Sequence, residues 1–347
     1  MNKYQRLALF LNRVGQPDYR LRQISESIFS QKEINFAKMF FLPLELRREL
    51  AEEFGPWLSI KAIRKDFSSQ AKKVLFSLPD NNRIEAVSMT YRNWQSACLS
   101  SQAGCPLGCV FCATGKMGLV RNLTTDEILD QLLFFYLKEE GVDTVSFMGM
   151  GEPLLNDNLF EVLEVITDKR FFNISPRRTN ISTVGILPNL KRLIDVFPSV
   201  NIALSLNSSF PKQRRLLMPI EKKFPLKKIF PILNYHIRTN RRKVFLSYIL
   251  LSGVNDSTQH ASALISLIRS QGNEAYLYHV NLISFHPAAG LTFKPSSPRR
   301  TDFFKNQLLR AGIGVTKRRS LGLSLQGACG QLTTQGYFFY VTIEVEC

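Results

Sequence analysis

The sequence predicts an α/β fold, in which a small helical segment precedes a parallel sheet built from repeated β-α units. Three observations predict it. Up to about residue 85, apolar residues recur at spacings of three and four; from about residue 95, short β-rich runs alternate with amphipathic spacers; and small, polar residues collect where those runs end. With 347 residues and 45% hydrophobic content, the chain is long enough for one large core with a small appendage.

The helical part consists of "YQRLALFLNRV", "YRLRQISESIF" and "PLELRRELAEEFG", the last stopped by Gly55 and Pro56. The run "KVLFSLPDNNRIEAVSM", residues 73 to 89, turns at "PDNN" between apolar stretches and leads a hairpin into the larger domain. The expected division is therefore a small helical accessory domain over 1–85 and a larger core with a C-terminal extension over 86–347. "TTDEILDQLLFFYLKEEG" is the first core helix, with Thr125 and Asp126 as its expected N-caps. The strands expected around it are "DTVSFMG", "TNISTVG", "VNIALSL", "KVFLSYILL" and "AYLYHVNLISF". Such units form either an open doubly wound sheet or a barrel, and both place ligands at the C-terminal strand ends. Those ends carry Gly149, Gly151 and Glu152 in "FMGMGEP", Ser182, Thr183 and Gly185 in "STVG", and Ser205 and Asn207 in "SLNS". His286 follows the last strand in "SFHP". Singly each is a turn; in series they form one rim.

Lys and Arg number 45 against 28 Asp and Glu, a formal charge of +17, which points to a polyanionic partner, nucleic acid first and an anionic membrane second. The basic residues cluster at Arg177 and Arg178, in "KQRR" at 212–215, "RTNRRK" at 238–243, "SPRR" at 297–300 and "KRR" at 317–319. There is no disordered basic tail or RNP-type signature, so any RNA would be bound by a folded surface. No run approaches the roughly 18 to 20 apolar residues of a membrane span, and "LALFL" is too short for a signal peptide. A cytoplasmic monomer is expected.

Four of six cysteines crowd into residues 98–112, and Cys105, Cys109 and Cys112 stand at a C-x3-C-x2-C spacing. Three thiolates are one short of an ordinary structural zinc site. Two assignments stand at this point: an iron-sulfur cluster with one iron lacking a protein ligand, or a zinc-stabilised, non-catalytic RNA-binding protein that recruits Cys98 as its fourth ligand. Read alone, Cys98 and Cys329 are small buried residues and Glu85 is a surface charge.

The cysteine triplet with Phe111 before its last member, together with the strand-end "GMGEP", resembles the radical S-adenosylmethionine (SAM) enzymes. The ordered set "CLSSQAGCPLGCVFCATG", "RNLTTDEILDQL", "FMGMGEPLLN", "RRTNISTVGILPNL", "LMPIEKK", "GVNDS", "VNLI" and "GACGQL" narrows this, over nearly the whole chain, to a resemblance to the RlmN and Cfr family of 23S rRNA adenosine methyltransferases. "CATG", "SPRR" ahead of "ISTVG", and "LYHVNLI" are closer to the Cfr branch, whereas "GEPLLN" is the form usual in RlmN.

The resemblance implies a partial (β/α) barrel, a [4Fe-4S] cluster on Cys105, Cys109 and Cys112, and two SAM molecules per turnover. It implies that one SAM methylates Cys329, and that the radical cut from the other takes hydrogen from that methyl so that the resulting carbon adds to adenine. Carbons 2 and 8 of adenine are electron-poor, which is why ordinary methyl transfer does not serve. By the same resemblance Glu85 removes the proton from the adducted carbon and Cys98 resolves the protein-RNA adduct through a disulfide. Gly151, Glu152, Ser182, Ser205, Leu206, Asn207 and His286 form the SAM rim. Two positions depart from the family, which usually has His where this chain has Asn207 and Asn where it has His286. Further implications are 23S rRNA bound before ribosome assembly, an electron donor such as flavodoxin or ferredoxin, carbon 8 as the target, and antibiotic resistance. The alternative is a carbon-2 enzyme of the RlmN type, with transfer RNA as an added substrate.

Overall fold

The computed structural model describes residues 1–138, 141–288, 290–318, 325, 327 and 330–332. Three N-terminal helices, α1 (Lys3–Arg13), α2 (Tyr19–Phe29) and α3 (Leu44–Phe54), appear where the three- and four-residue spacing predicts them. Gly55 ends α3 at φ +58, a left-handed conformation that glycine tolerates. Helices end there. Three strands follow, β1 (Lys61–Phe67), β2 (Ala71–Ser77) and β3 (Arg83–Tyr91), and the β2–β3 hairpin turns through Asn81 at φ +64, inside the expected "PDNN". Residue 85 falls within β3, so the sheet runs through the division expected from the sequence.

The remaining elements are β4 (Trp94–Cys98), β5 (Gln102–Gly104), the short α4 (Ala113–Lys116), β6 (Leu119–Asn122), α5 (Thr125–Lys138), β7 (Thr144–Phe147), α6 (Asn158–Thr167), β8 (Thr179–Thr183), α7 (Leu187–Val196), β9 (Asn201–Ser205), α8 (Pro211–Leu217), α9 (Leu226–Asn240), β10 (Val244–Leu250), α10 (Thr258–Arg269), β11 (Tyr278–Ser284), α11 (Pro298–Arg310) and β12 (Gly314–Lys317). One ten-stranded sheet has the order β1-β2-β3-β4-β7-β8-β9-β10-β11-β12. Its first four strands pair antiparallel, and from β4 onward every pairing is parallel. The sheet curls until Nη1 of Arg318, just past β12, lies 3.1 Å from the Met148 sulfur at the end of β7. This is the partial barrel.

Alternation along the parallel strands explains its two faces. Ile181, Ile202, Leu204, Leu246, Tyr248, Val280 and Leu282 are fully or almost fully buried, and the residues between them, such as Asn180, Ser182, Ser205, Ser247 and Asn281, are polar and line cavities on the concave side. The α5 N-cap differs from expectation by one residue. Thr124 Oγ1 accepts from the Glu127 amide and Glu127 accepts from the Thr124 amide, a capping box. Thr125 and Asp126 instead bond Glu161 and the Lys3 amide.

The N-terminal helices are fused to the barrel wall. Buried Lys3 pairs with Asp130 of α5, and Tyr4 packs its ring against Phe29, Trp57, Phe171 and Phe172. Among the described residues no helix is long and apolar enough to cross a membrane.

Candidate active site

The three cysteines lie on the loop that joins β5 to β6. The Cys105 amide donates to the Gly118 carbonyl at 2.8 Å and the Val110 amide to the Leu217 carbonyl of α8 at 3.1 Å, fixing both flanks of the loop. A Cβ at Gly115 would sit 3.0 Å from the Cys109 backbone, so glycine lets α4 close against the loop. Cys105, Cys109 and Cys112 line one cleft together with Gly151, Glu152, Ser182, Ser205 and Asn207. The strand ends thus meet the cysteine loop as the rim requires.

Burial pushes the Cys105 thiol up to about 12, with the Cys112 charge adding to it, and pushes Cys109 up as well, ahead of the charges of Cys112 and Cys105. Three thiolates here need a compensating cation, which iron supplies. Donor type, common cleft and close loop backbone all fit a cluster. Among the described residues no three Cys, His, Asp or Glu side chains stand where they could hold a single metal ion.

Glu152 is buried, and its carboxylate accepts from Thr183 Oγ1 at 2.5 Å, the Val184 amide at 2.9 Å and the Leu154 amide at 3.2 Å. Burial nevertheless raises it to about 7. A bound ammonium would restore its charge. Gly151, at φ +99, has Gln102 Cβ only 2.6 Å from where its own Cβ would be, so the loop approaches β5 as only glycine permits. Gln102 Oε1 in turn accepts from the Glu152 amide at 2.8 Å.

The rim splits beyond this point. Ser182 and Ser205 hydroxyls stand 3.5 Å apart on neighbouring strands. Leu206 is fully buried and its side chain does not line the cleft, leaving only its backbone to the rim: the amide donates to the Ser247 carbonyl at 2.9 Å. Asn207 lines the cleft in the left-handed region at φ +56, a conformation Asn tolerates. Its Oδ1 accepts from the Ile249 amide at 2.9 Å and its Nδ2 lies 3.3 Å from the Met218 sulfur, so the side chain secures β10. His286 is half-buried after β11, outside the cleft lining, with burial lowering its pKa.

Cys98 and Glu85 occupy adjacent strands. Val87 pairs with Cys98 and Met89 with Ser96, so alternation puts Glu85, Val87 and Met89 on the face shared by Cys98, Ser96 and Trp94. Glu85 is wholly buried, ion-paired to buried Lys73 at 2.9 Å, with its backbone carbonyl accepting from Ser100 Oγ at 2.5 Å. It is not the surface charge that the residue type alone suggests. Ser100 Oγ also accepts from the Met150 amide at 2.8 Å, which ties Glu85 to the "GMGEP" loop. Cys329 lies outside the described residues, as does Cys347. Gly330 and Leu332 of the same segment accept hydrogen bonds from the Ala113 amide at 2.9 Å and Thr114 Oγ1 at 2.6 Å, both in the first turn of α4, directly after Cys112.

Residues 99–264 match the radical SAM superfamily. The chain is 46% identical over 335 residues to a ribosomal RNA large subunit methyltransferase Cfr from Lachnoclostridium phytofermentans, covering 95% of this chain and 97% of that protein. The chain belongs to the Cfr family of radical SAM methyltransferases. Another Cfr, from Shouchella clausii, is 45% identical over 337 residues, covering 96% of each chain. A radical SAM methyltransferase from Sphaerobacter thermophilus superimposes with a TM-score of 0.89 at 32% identity, over 95% of this chain and 97% of that one. Membership in the Cfr family makes a [4Fe-4S] cluster and SAM the cofactors of this chain and sets aside the inert zinc protein.

Several residues that shape this site carry no motif. Arg214 is completely buried, pairs with Glu221, and donates to the carbonyls of Leu206 and Ser205 at 3.1 Å and of Val184 at 3.3 Å. It is a structural clasp, not part of an RNA-binding "KQRR" face. Lys73 and Gln102 were equally hidden, whereas Thr183 and the period-two polar stripe along β8 to β11 are visible in the sequence.

Proposed function

We propose that the chain methylates carbon 8 of an adenosine at the peptidyl-transferase centre of 23S rRNA, acting before ribosome assembly, with the N-terminal helices contacting RNA and flavodoxin or ferredoxin as electron donor. The observation that carries this proposal is that Glu85 and Cys98 share one face of adjacent strands, the face that leads to the three-cysteine cleft. Together with a cluster loop gripped by Gly330 and Leu332, this suits an enzyme that transfers carbon through a cysteine.

When bound, the cluster supplies an electron and an open iron position for SAM, whose reductive cleavage starts hydrogen abstraction. Glu152 binds the SAM ammonium, with Thr183, Val184 and Leu154 fixing its carboxylate. Cys329 takes a methyl group by displacement, forming a sulfur-carbon bond as the first SAM loses its methyl. Joining that carbon to adenine leaves an unpaired electron, which returns to the cluster, while Glu85 accepts the ring proton and Lys73 holds the carboxylate in place. The Cys98 thiolate then attacks the Cys329 sulfur; a sulfur-sulfur bond forms, the sulfur-carbon bond breaks, and its electron pair stays on the released carbon, which takes a proton back from Glu85 to become the methyl group.

Mass spectrometry of 23S rRNA from cells expressing this chain tests the proposal. The expected product is C8-methyladenosine, with resistance to drugs bound beside it, and Cys98→Ala should leave a covalent protein-RNA species on a denaturing gel. A product methylated only at carbon 2 would instead place the chain's activity with the RlmN branch, whose "GEPLLN" it shares.

A further inference from the structure

The concave face has a second opening, at the N-terminal ends of the strands. Ser96, Ser146, Asn180, Asn281 and Thr316 line it with polar groups, and Met148 and Arg318, in contact at 3.1 Å, line both this cavity and the cysteine cleft, so the two adjoin across that pair. Its volume is about 530 Å³, within the roughly 300–1,000 Å³ of small-ligand pockets.

At the mouth, the β3–β4 turn "YRNW" stacks Tyr91 on Trp94 with ring centroids 3.8 Å apart and planes 7° apart, and Trp94 is 41% exposed. Arg177 and Arg178, both exposed, line the same mouth from the turn entering β8. Arg178 meets one carboxylate, Asp143, at 3.5 Å. An open indole face beside guanidinium groups, above a polar shaft, suits nucleic acid: bases stack on aromatics whatever their identity, and arginine forks match phosphates.

We infer that this mouth admits single-stranded RNA, with a base next to the reacting adenosine stacked on Trp94 and adjacent phosphates held by Arg177 and Arg178. The inference rests on the proposed function. Trp94 and Cys98 are four residues apart on β4, about 13 Å at the usual strand rise, which assigns Trp94 to a neighbour and not to the reacting base.

The chain has two tryptophans, and Trp57 is only 3% exposed, so Trp94 dominates quenchable emission. The probe is a transcript of the 23S rRNA segment containing the peptidyl-transferase centre. Binding should quench Trp94 and shield it from acrylamide. Trp94→Ala should bind about 10- to 100-fold more weakly and Trp94→Phe should recover most of that loss; the Arg177→Ala/Arg178→Ala pair should make the salt slope shallower by about 1.5 to 2. RNA that binds without quenching the wild-type protein overturns the inference with no variant needed, as does wild-type affinity in Trp94→Ala. So does unchanged RNA affinity in the arginine pair with slowed cluster reduction by flavodoxin, which would make the mouth a protein-docking surface. The methylated nucleotide in cells expressing the wild-type chain reads the proposed function separately, so failure here leaves that result standing.

Discussion

Glu152 shows how one side chain is set for its task by burial. Its carboxyl lies near 7 in the folded protein against an ordinary 4.5, with desolvation outweighing three hydrogen bonds. Because the folded value is raised, the group's contribution to stability without ligand is fully present below 4.5 and is lost as pH rises through about 7. With Glu152 in its proposed role as partner of the SAM ammonium, SAM binding has the opposite trend, since the ammonium pairs with the carboxylate form. Calorimetric titration should therefore show SAM affinity rising between about pH 6 and 8, and Glu152→Gln should flatten that rise and weaken binding about 10- to 100-fold, the worth of a charged hydrogen bond. Asn207 makes a complementary case, because its left-handed backbone and its bond to the Ile249 amide give it a structural duty at a position where the resemblance implies a ligand contact.

At the scale of elements, α8 and the turn after it hold the strand ends together. Arg214 reaches three carbonyls at the ends of β8 and β9, while Leu217 takes a hydrogen bond from the cysteine loop, so one short helix couples the rim to the cluster site. Burial lowers the Arg214 pKa and the Glu221 charge works against that, the balance expected of a paired buried ion. Removing one partner strands the other. Arg214→Leu should cost about 3 to 5 kcal/mol in urea unfolding of the protein without cofactors, whereas neighbouring exposed Arg215→Ala should stay within about 0.5 kcal/mol.

For the whole molecule, the +17 charge outlives its local pairings. Arg238 with Glu274, Lys317 with Asp302 and Arg300 with Asp256 are pairs at 3.3 to 3.8 Å with exposed cations, which contribute little to stability and leave the cations accessible to phosphate. Filter binding of rRNA transcript across a potassium chloride series should give a log-log slope between about −4 and −5 if about six phosphates are engaged. A flat response would remove the electrostatic account of the charge.

The sequence by itself determined the α/β class, the order of helices and strands, the cysteine loop and the strand-end rim. These are written in local periodicity and in contiguous motifs, which survive without knowledge of the fold. Only the tertiary structure decided which of the polar residues share a site. Arg214 looked like a surface charge in "KQRR" and Glu85 like one in "RIEAV", because burial is a property of what packs over a residue and neighbouring sequence does not record it. The split between Asn207 and His286, the Glu85 and Lys73 pair, and the junction of the cysteine cleft with the lower mouth all depend on strand register and sheet curvature. Those bring together residues as far apart as Met148 and Arg318, a separation at which no spacing rule operates.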